Sequence, residues 1–246
     1  MLISSINNNY VKKICRLHHK KYRDETSTYL VCGYHLIEEA QKQDLIEEII
    51  LLEGETYETT KKTISVTPPV MKKLSQLDSI PPIIAVVKKR TTEPITGNTI
   101  ILENLQDPGN LGTIIRSAKA FNFETIIINK GCVDVYNDKV LRATQGMIFH
   151  TNIIIKEDLE QTIKDLKNIG YEVLGTSVRN GENIKNINTN KEYAIIIGNE
   201  GQGMSPNLEQ LCDKNIYINM NKDCESLNAS VAASIIMYEV SNKWNM

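Results

Sequence analysis

The stretch 193-YAIIIGNEGQGMS-205 decides how this chain folds. Tyr193 to Ile197 is an unbroken apolar run, the pattern of a strand buried on both faces of a sheet. It ends in Gly198-Asn199-Glu200-Gly201-Gln202-Gly203, three glycines in six positions with an acid among them. Glycines at the end of a buried strand suggest a phosphate or nucleotide loop, but both familiar forms fail here. A P-loop requires G-x-x-x-x-G-K-[S/T], and Met204 stands where the lysine belongs. A dinucleotide fingerprint requires G-x-G-x-x-G opening a helix, which this spacing does not match, and Glu200 would repel a pyrophosphate. A plain tight connection remains open for the loop taken alone.

Outward from this loop, strands and helices alternate. Strand patterns ("TIILENL", "TIIIN", "FHTNIII", "YEVLGTS", "YAIIIG", "NIYINM") are separated by helical ones ("NLGTIIRSAKAF", "YNDKVLRATQG", "EDLEQTIKDLKNIG", "SPNLEQLC"), and a long helix is predicted from about Ser226 to Lys243. Such alternation predicts an α/β fold with a parallel sheet covered on both faces. Ligands of these sheets gather at the carboxyl ends of strands. Three notable stretches fall there: "NLGTIIRSA" at 110–118, "GNEGQG" at 198–203 and "SLNASVAASIIMYE" at 226–239.

The polar run "RTTEPITGN" (90–98), with Pro94 and Gly97, reads as a linker. It divides the chain into residues 1–96 and 97–246. The first part predicts a small α/β unit, with strands "STYLVCG", "IEEIILLE" and "PPIIAVVKK" and helices "YHLIEEAQKQ" and "PPVMKKLSQL". Before these, "YVKKICRLHHKKYRDE" packs six basic residues between Lys12 and Arg23. As one helix it gathers Lys12, Arg16, Lys20 and Arg23 on a single face, opposite Val11, Ile14, Cys15, His18 and Tyr22. That stripe is either a track for a phosphate backbone or a solvated face.

The 246 residues are 41% hydrophobic and 24% charged, an ordinary globular composition. No apolar run approaches the ~20 residues of a membrane helix, and no signal-peptide pattern opens the chain. The five cysteines form neither a C-x-x-C pair nor a zinc spacing, so no metal is expected and a reducing cytoplasm fits. Net charge is −2, but Lys and Arg exceed Asp and Glu by 14 to 12 up to Thr96 and fall short by 14 to 18 after it.

Together and in this order, the three stretches resemble the three motifs of the SpoU (TrmH) class of SPOUT RNA methyltransferases. The first part, with "KYRDETSTYLVCGYHLIEEA", resembles the ribosomal-protein-like substrate-binding domain often fused in front of it. The third motif departs from the family pattern, with Asn219 for a proline and Lys222 for a glycine. The resemblance implies a SPOUT-type parallel sheet with a C-terminal trefoil knot, a homodimer, and S-adenosylmethionine as cofactor. It implies methyl transfer to a ribose 2′-hydroxyl of RNA, ribosomal rather than transfer RNA. By family position it implies cofactor contacts at Thr176, Ser177, Ile197, Gly198, Asn199, Gly201, Ile218, Met220 and Leu227. It also implies active-site roles for Arg116, Asn110, Glu200, Ser226 and Asn228.

The chemistry is consistent. A sulfonium needs no phosphate cradle, and glycines let backbone groups approach a cofactor closely. Guanidinium stays protonated in proteins, so holding a substrate phosphate or a developing alkoxide suits Arg116 better than accepting a proton. Glu200 could take the proton or pin Arg116, and helix capping is the alternative for Asn110, Ser226 and Asn228, suiting the first two well. Arg142 is a further candidate RNA contact, and Trp244 suits dimer or core packing. Three readings stay open: a ribose methyltransferase of ribosomal or transfer RNA, a base-methylating relative, and a catalytically silent RNA-binding protein.

Overall fold

A computed structural model describes residues 2–178, 180–187 and 191–244, with side chains up to Ser241; Trp244's packing lies outside the described side chains. The chain forms two compact units, one of residues 1–91 with 136–149, the other of 92–135 with 150–246.

The first unit contains β1 (Leu2–Ile3), α1 (Asn9–Cys15), α2 (Lys20–Thr26), β2 (Thr28–Cys32), α3 (Tyr34–Lys42), β3 (Ile46–Leu52), β4 (Lys62–Val66), α4 (Pro68–Ser75) and β5 (Ile83–Lys88). Its five-stranded sheet is ordered β1-β4-β3-β5-β2. β5 runs antiparallel to both β2 and β3, while β4 is parallel to β3 and β1. Ile14, Leu17, Ile50, Ile64, Val70, Leu74 and Ile84 form the core on one side. Two of these strands are not among those the sequence predicts. β1 has only two residues, and the polar alternation of "KTISV" hides β4 beside the charged run before it.

The predicted single basic helix is broken. α1 ends at Cys15, a 3₁₀ turn covers Arg16–His18, and His19 is extended (φ −97°, ψ 131°) before α2 begins. This break redirects Arg23. The residue is buried, 7% exposed, and its Nη1 donates to the carbonyls of Leu17 and His18, both at 2.8 Å. Those carbonyls end the 3₁₀ turn and need a donor once the helix stops. Arg23 therefore does not share a surface stripe with Lys12, Arg16 and Lys20, which are all exposed.

The second unit contains β6 (Asn98–Leu102), α5 (Pro108–Ala120) and β7 (Phe123–Asn129). The chain then passes through α6 (Asp138–Ala143), which packs with the first unit, and returns. β8 (Asn152–Lys156), α7 (Leu159–Asn168), β9 (Glu172–Thr176), β10 (Glu182–Asn183), β11 (Tyr193–Ile197), α8 (Pro206–Leu211), β12 (Lys214–Tyr217) and α9 (Ala229–Trp244) complete it. All seven strands are parallel, in the order β10-β12-β9-β11-β6-β7-β8. β6 and β11 lie side by side in the middle, and every residue of both is buried. Their continuous apolar runs are what a strand covered on both faces requires. Because neighbouring strands are parallel, their following loops open at one edge, which gathers the segments after β6, β9, β11 and β12.

The α6 segment explains Arg142. Tyr136 packs on Tyr29 with ring centroids 4.6 Å apart, and Gly146 (φ +84°) sits against the side chain of Glu39. Arg142 is exposed on this segment and pairs with Asp138 at 2.6 Å, one helical turn earlier. Among the described residues no helix is long and apolar enough to cross a membrane.

Candidate active site

The loop after β11 is closed on itself. Asn199 and Gly203 exchange two backbone hydrogen bonds of 2.9 Å. Asn199 Oδ1 accepts from the amides of Gly201 (2.9 Å) and Gln202 (3.1 Å), and its Nδ2 donates to Asn104 O at 2.8 Å. Gly203 turns the chain with φ +72°. Gly198 is required for a different reason. A Cβ there would lie 2.2 Å from both Gly203 C and Met204 N, so the returning strand of the loop leaves no room for one. Its φ is not positive, so lack of room, and not left-handed backbone, requires glycine there.

Glu200, at the tip, reaches across to the loop after β6. Its carboxylate accepts from the amides of Gln106 (3.1 Å) and Asp107 (3.0 Å) and from Asn110 Nδ2 (3.2 Å). Asn110 Oδ1 in turn accepts from Asn228 Nδ2 at 2.9 Å. One chain of hydrogen bonds thus joins the three motif loops. Partial burial pushes the Glu200 carboxyl up, but the surrounding amide donors outweigh it and hold it below the usual carboxylate range. An acid held ionised this way is a poor proton acceptor and a good anchor. Behind the loop, buried Glu103 accepts from Ser205 N at 2.8 Å.

Of the three residues open to helix capping, Asn228 caps a helix, and Asn110 and Ser226 do not. Asp107, not Asn110, caps α5, accepting from Asn110 N at 2.8 Å. Asn228, not Ser226, caps α9, with Oδ1 accepting from Ser230 N at 2.9 Å and Val231 N at 3.3 Å. Asn228 thus does two jobs with one amide, its oxygen fixing the helix start and its nitrogen fixing Asn110.

Beside this network lies a cleft of about 290 Å³. All nine predicted cofactor residues line it: Thr176, Ser177, Ile197, Gly198, Asn199, Gly201, Ile218, Met220 and Leu227. Thr176 Oγ1 donates to Ile196 O at 2.8 Å, so its hydroxyl also ties β9 to β11. Ser226 and Glu200 reach the same cleft. Gln202 and Gly203 of the loop line it too, and Val178, Ile216, Tyr217, Ala229, Ala232 and Ile236 do so without being among the residues the sequence singles out. Ala229, Ala232 and Ile236 recur at three- and four-residue spacing, the signal of one helix face. Arg116 is not part of the hydrogen-bonded network. It lies exposed on α5, with no hydrogen bond or ion pair among the described residues, and does not meet Glu200.

The family model described as "SpoU rRNA Methylase family" matches residues 97–238. The chain belongs to this family. A second model, the "MRM3-like substrate binding domain", matches residues 8–85. The 23S rRNA (guanosine(2553)-2′-O)-methyltransferase RlmP of Bacillus subtilis is 34% identical over 97% of this SpoU-family chain and 98% of its own length. A putative TrmH family tRNA/rRNA methyltransferase of Staphylococcus aureus is 40% identical, over 64% of this chain and 63% of that one. This chain thus aligns with less than two thirds of that relative. In fold, the chain matches the SpoU methyltransferase AviRb of Streptomyces viridochromogenes, solved with AdoMet, at TM-score 0.87 and 22% identity over 97% of this chain and 99% of that one.

Proposed function

We propose that this SpoU-family chain transfers a methyl group from S-adenosylmethionine to a ribose 2′-hydroxyl of structured RNA, ribosomal rather than transfer RNA. The observation that carries the reading is the convergence of nine residues, chosen by motif position, on a single cleft bordered by the Glu200–Asn110–Asn228 chain. The relative at 34% identity over nearly the whole chain, a ribose methyltransferase of 23S rRNA, supports the substrate class.

The residues fit the cofactor. Ile197, Ile218, Met220 and Leu227 offer apolar walls for a flat adenine, and the closed 199–203 loop offers backbone groups at its edge. When bound, S-adenosylmethionine supplies a methyl carbon activated by a sulfonium. The protein's part is placement. Asn228 and Glu200 hold Asn110 between them, which fixes the three loops relative to one another. Glu200 anchors rather than takes the ribose proton, because its donors keep it ionised. Arg116, exposed with its donors unspent, holds an RNA phosphate and stabilises the 2′-oxygen as its proton passes to solvent water.

The same reading makes residues 1–96 the RNA-binding part and 97–246 the methyltransferase part. It makes the protein a cytoplasmic homodimer that uses no metal, with the C-terminal segment threaded as a trefoil knot. Exposed Val231 and Tyr238, seven residues apart on α9, support a second copy packing there.

The test is to incubate the full-length protein with methyl-labelled S-adenosylmethionine and separately with ribosomal and transfer RNA from cells lacking it, then digest to nucleosides. Label in a 2′-O-methylnucleoside from ribosomal RNA is the expected result. Label on a base, in transfer RNA alone, or in neither RNA overturns the reading.

A further inference from the structure

The first unit carries a larger cavity than the methyl-transfer cleft, about 450 Å³, within the range of small-ligand sites. Its floor is apolar, made by Ile14, Leu17 and Val86. One wall is the ring of Tyr22, with the Arg16 guanidinium 5.4 Å from its centroid. Glu47 and Glu48 also line the cavity, as do Glu25, Lys13 and Lys62.

That two successive strand residues line one cavity is unusual, because neighbours in a strand face opposite sides. The register shows how it happens. In β3, Ile46 pairs with Val87 and Glu48 with Val86, so Glu47 is the extra residue of a β-bulge. Bulges re-aim a side chain, and they recur beside functional sites. The two carboxylates then divide their work. Glu48 is nearly covered; it accepts from Tyr10 Oη at 2.9 Å and pairs with Lys62, so both its oxygens are engaged. Glu47 is 40% exposed, and its one partner among the described residues is Lys88 at a loose 3.8 Å. It stands at the cavity as an acceptor with capacity left. Lys12, Lys13, Lys20 and Lys21, all exposed, come from the same segment as the Arg16–Tyr22 wall.

We propose that this cavity holds one unstacked guanine of the substrate RNA, with Glu47 reading its Watson–Crick edge. The proposal rests on the RNA-substrate reading above and adds a base-specific contact to it. Apolar floor, aromatic wall and guanidinium suit a flat, unstacked base. Carboxylate oxygens only accept hydrogen bonds. Guanine presents two adjacent donors on that edge, N1–H and the N2 amino group, which match one carboxylate bidentately. Uracil presents a single N3–H between two carbonyl oxygens, which the carboxylate repels. Adenine and cytosine each bring one amino donor beside an unprotonated ring nitrogen. The exposed lysines beside the wall then meet the flanking phosphates.

The test uses the full-length protein and single-stranded RNA hexamers, UUGUUU, UUIUUU with inosine, and U6, titrated by fluorescence anisotropy at fixed salt. UUGUUU is expected to bind about tenfold or more tightly than U6, the scale of one bidentate base contact. Inosine lacks the N2 amino group and is expected to lose most of that margin. Glu47→Gln is expected to erase the margin, by weakening UUGUUU and relieving the repulsion of uracil in U6, while leaving the melting temperature unchanged. No guanine margin in the natural protein, or a margin that survives Glu47→Gln, overturns the pocket. Methylation of ribosomal RNA without a guanine margin removes the pocket and leaves the proposed function. A margin abolished by Glu47→Gln without any methylation supports the pocket and removes the function.

Discussion

The carboxyl-end loops of the parallel sheet and the basic segment of the first unit are built on opposite plans. The loops are held by amides. Asn199, Asn110 and Asn228 and backbone N–H groups do most of the bonding, and the Glu200 carboxylate is held by N–H donors rather than by a cation. The basic segment is held by charge. Arg23 ties down a broken helix from inside, Lys62 meets Glu48, and Lys89 meets Asp24 at 2.6 Å. A site made from backbone and amides is pre-formed, whereas a site made from long charged side chains adjusts to a polyanion. The first arrangement suits a small cofactor that must be placed to within tenths of an ångström. The second suits a long, variable RNA.

Arg116 breaks or sharpens this contrast most strongly, since it is an exposed cation on the amide-built side whose side chain has no partner among the described residues. Arg116→Ala is expected to lower methyl transfer by about 100-fold or more, the scale of losing one donor to a developing oxyanion. An exposed side chain with no partner among the described residues contributes little to folding, so cofactor affinity and folding stability stay within about 0.5 kcal/mol. Single-turnover assays beside a thermal melt measure both. Near-normal turnover would remove Arg116 from the chemistry and leave that side without a working cation.

Gly198→Val tests whether the loop is pre-formed. The added carbon meets loop backbone at 2.2 Å, not the far end of a flexible side chain, so the Asn199–Gly203 closure must open. Overfilling a packed site of this kind costs about 2–3 kcal/mol. Calorimetry with S-adenosylmethionine should show that loss as affinity, while U6 binding stays unchanged. Full cofactor affinity in the folded variant would place the cofactor away from this loop.

What can be read in the sequence follows the same division. Glycines, asparagines and buried strands leave local patterns, so "GNEGQG", "NLGTIIRSA" and "ESLNAS" point to residues that line one cleft or bond to one another. The sheet order β10-β12-β9-β11-β6-β7-β8 is invisible in that pattern, because periodicity reports which face is buried and not which neighbour covers it. The path of 136–149 into the first unit is hidden for the same reason: "YNDKVLRATQG" reads as a helix wherever it packs. The basic stripe misleads because it supposes an unbroken helix across His19, where the chain is extended. The bulge at Glu47 has no sequence signature at all, since "IEEIILL" reads equally well as a regular strand.

Arg23 separates structure from binding within the charge-built side. Arg23→Ala leaves the carbonyls of Leu17 and His18 without their charged donor in a buried setting. The expected cost is about 2 kcal/mol in the stability of the first unit, read by denaturant unfolding. Cofactor binding should not change. A neutral result would mean water replaces the guanidinium at no cost, and the break at His19 would need another support.

The smallest effect is expected from Lys12 and Lys20, and it decides whether the exposed cations of this segment meet RNA. Both are exposed, and neither side chain makes a hydrogen bond or ion pair among the described residues. Neutralising them together, as Lys12→Gln with Lys20→Gln, should leave stability within about 0.5 kcal/mol. If each meets a phosphate, each releases counterions on binding, and removing it lowers the slope of log affinity against log salt by about 0.7 per phosphate on single strands. The double variant should therefore bind U6 with a slope shallower by about 1.4. The guanine margin of UUGUUU over U6 is retained, because that margin comes from the base edge and not from phosphate. A slope equal to that of the natural protein would return these lysines to a solvated surface. The charge-built side would then keep its internal pairs, the Arg16–Tyr22 wall and Glu47 without phosphate contacts from these two lysines.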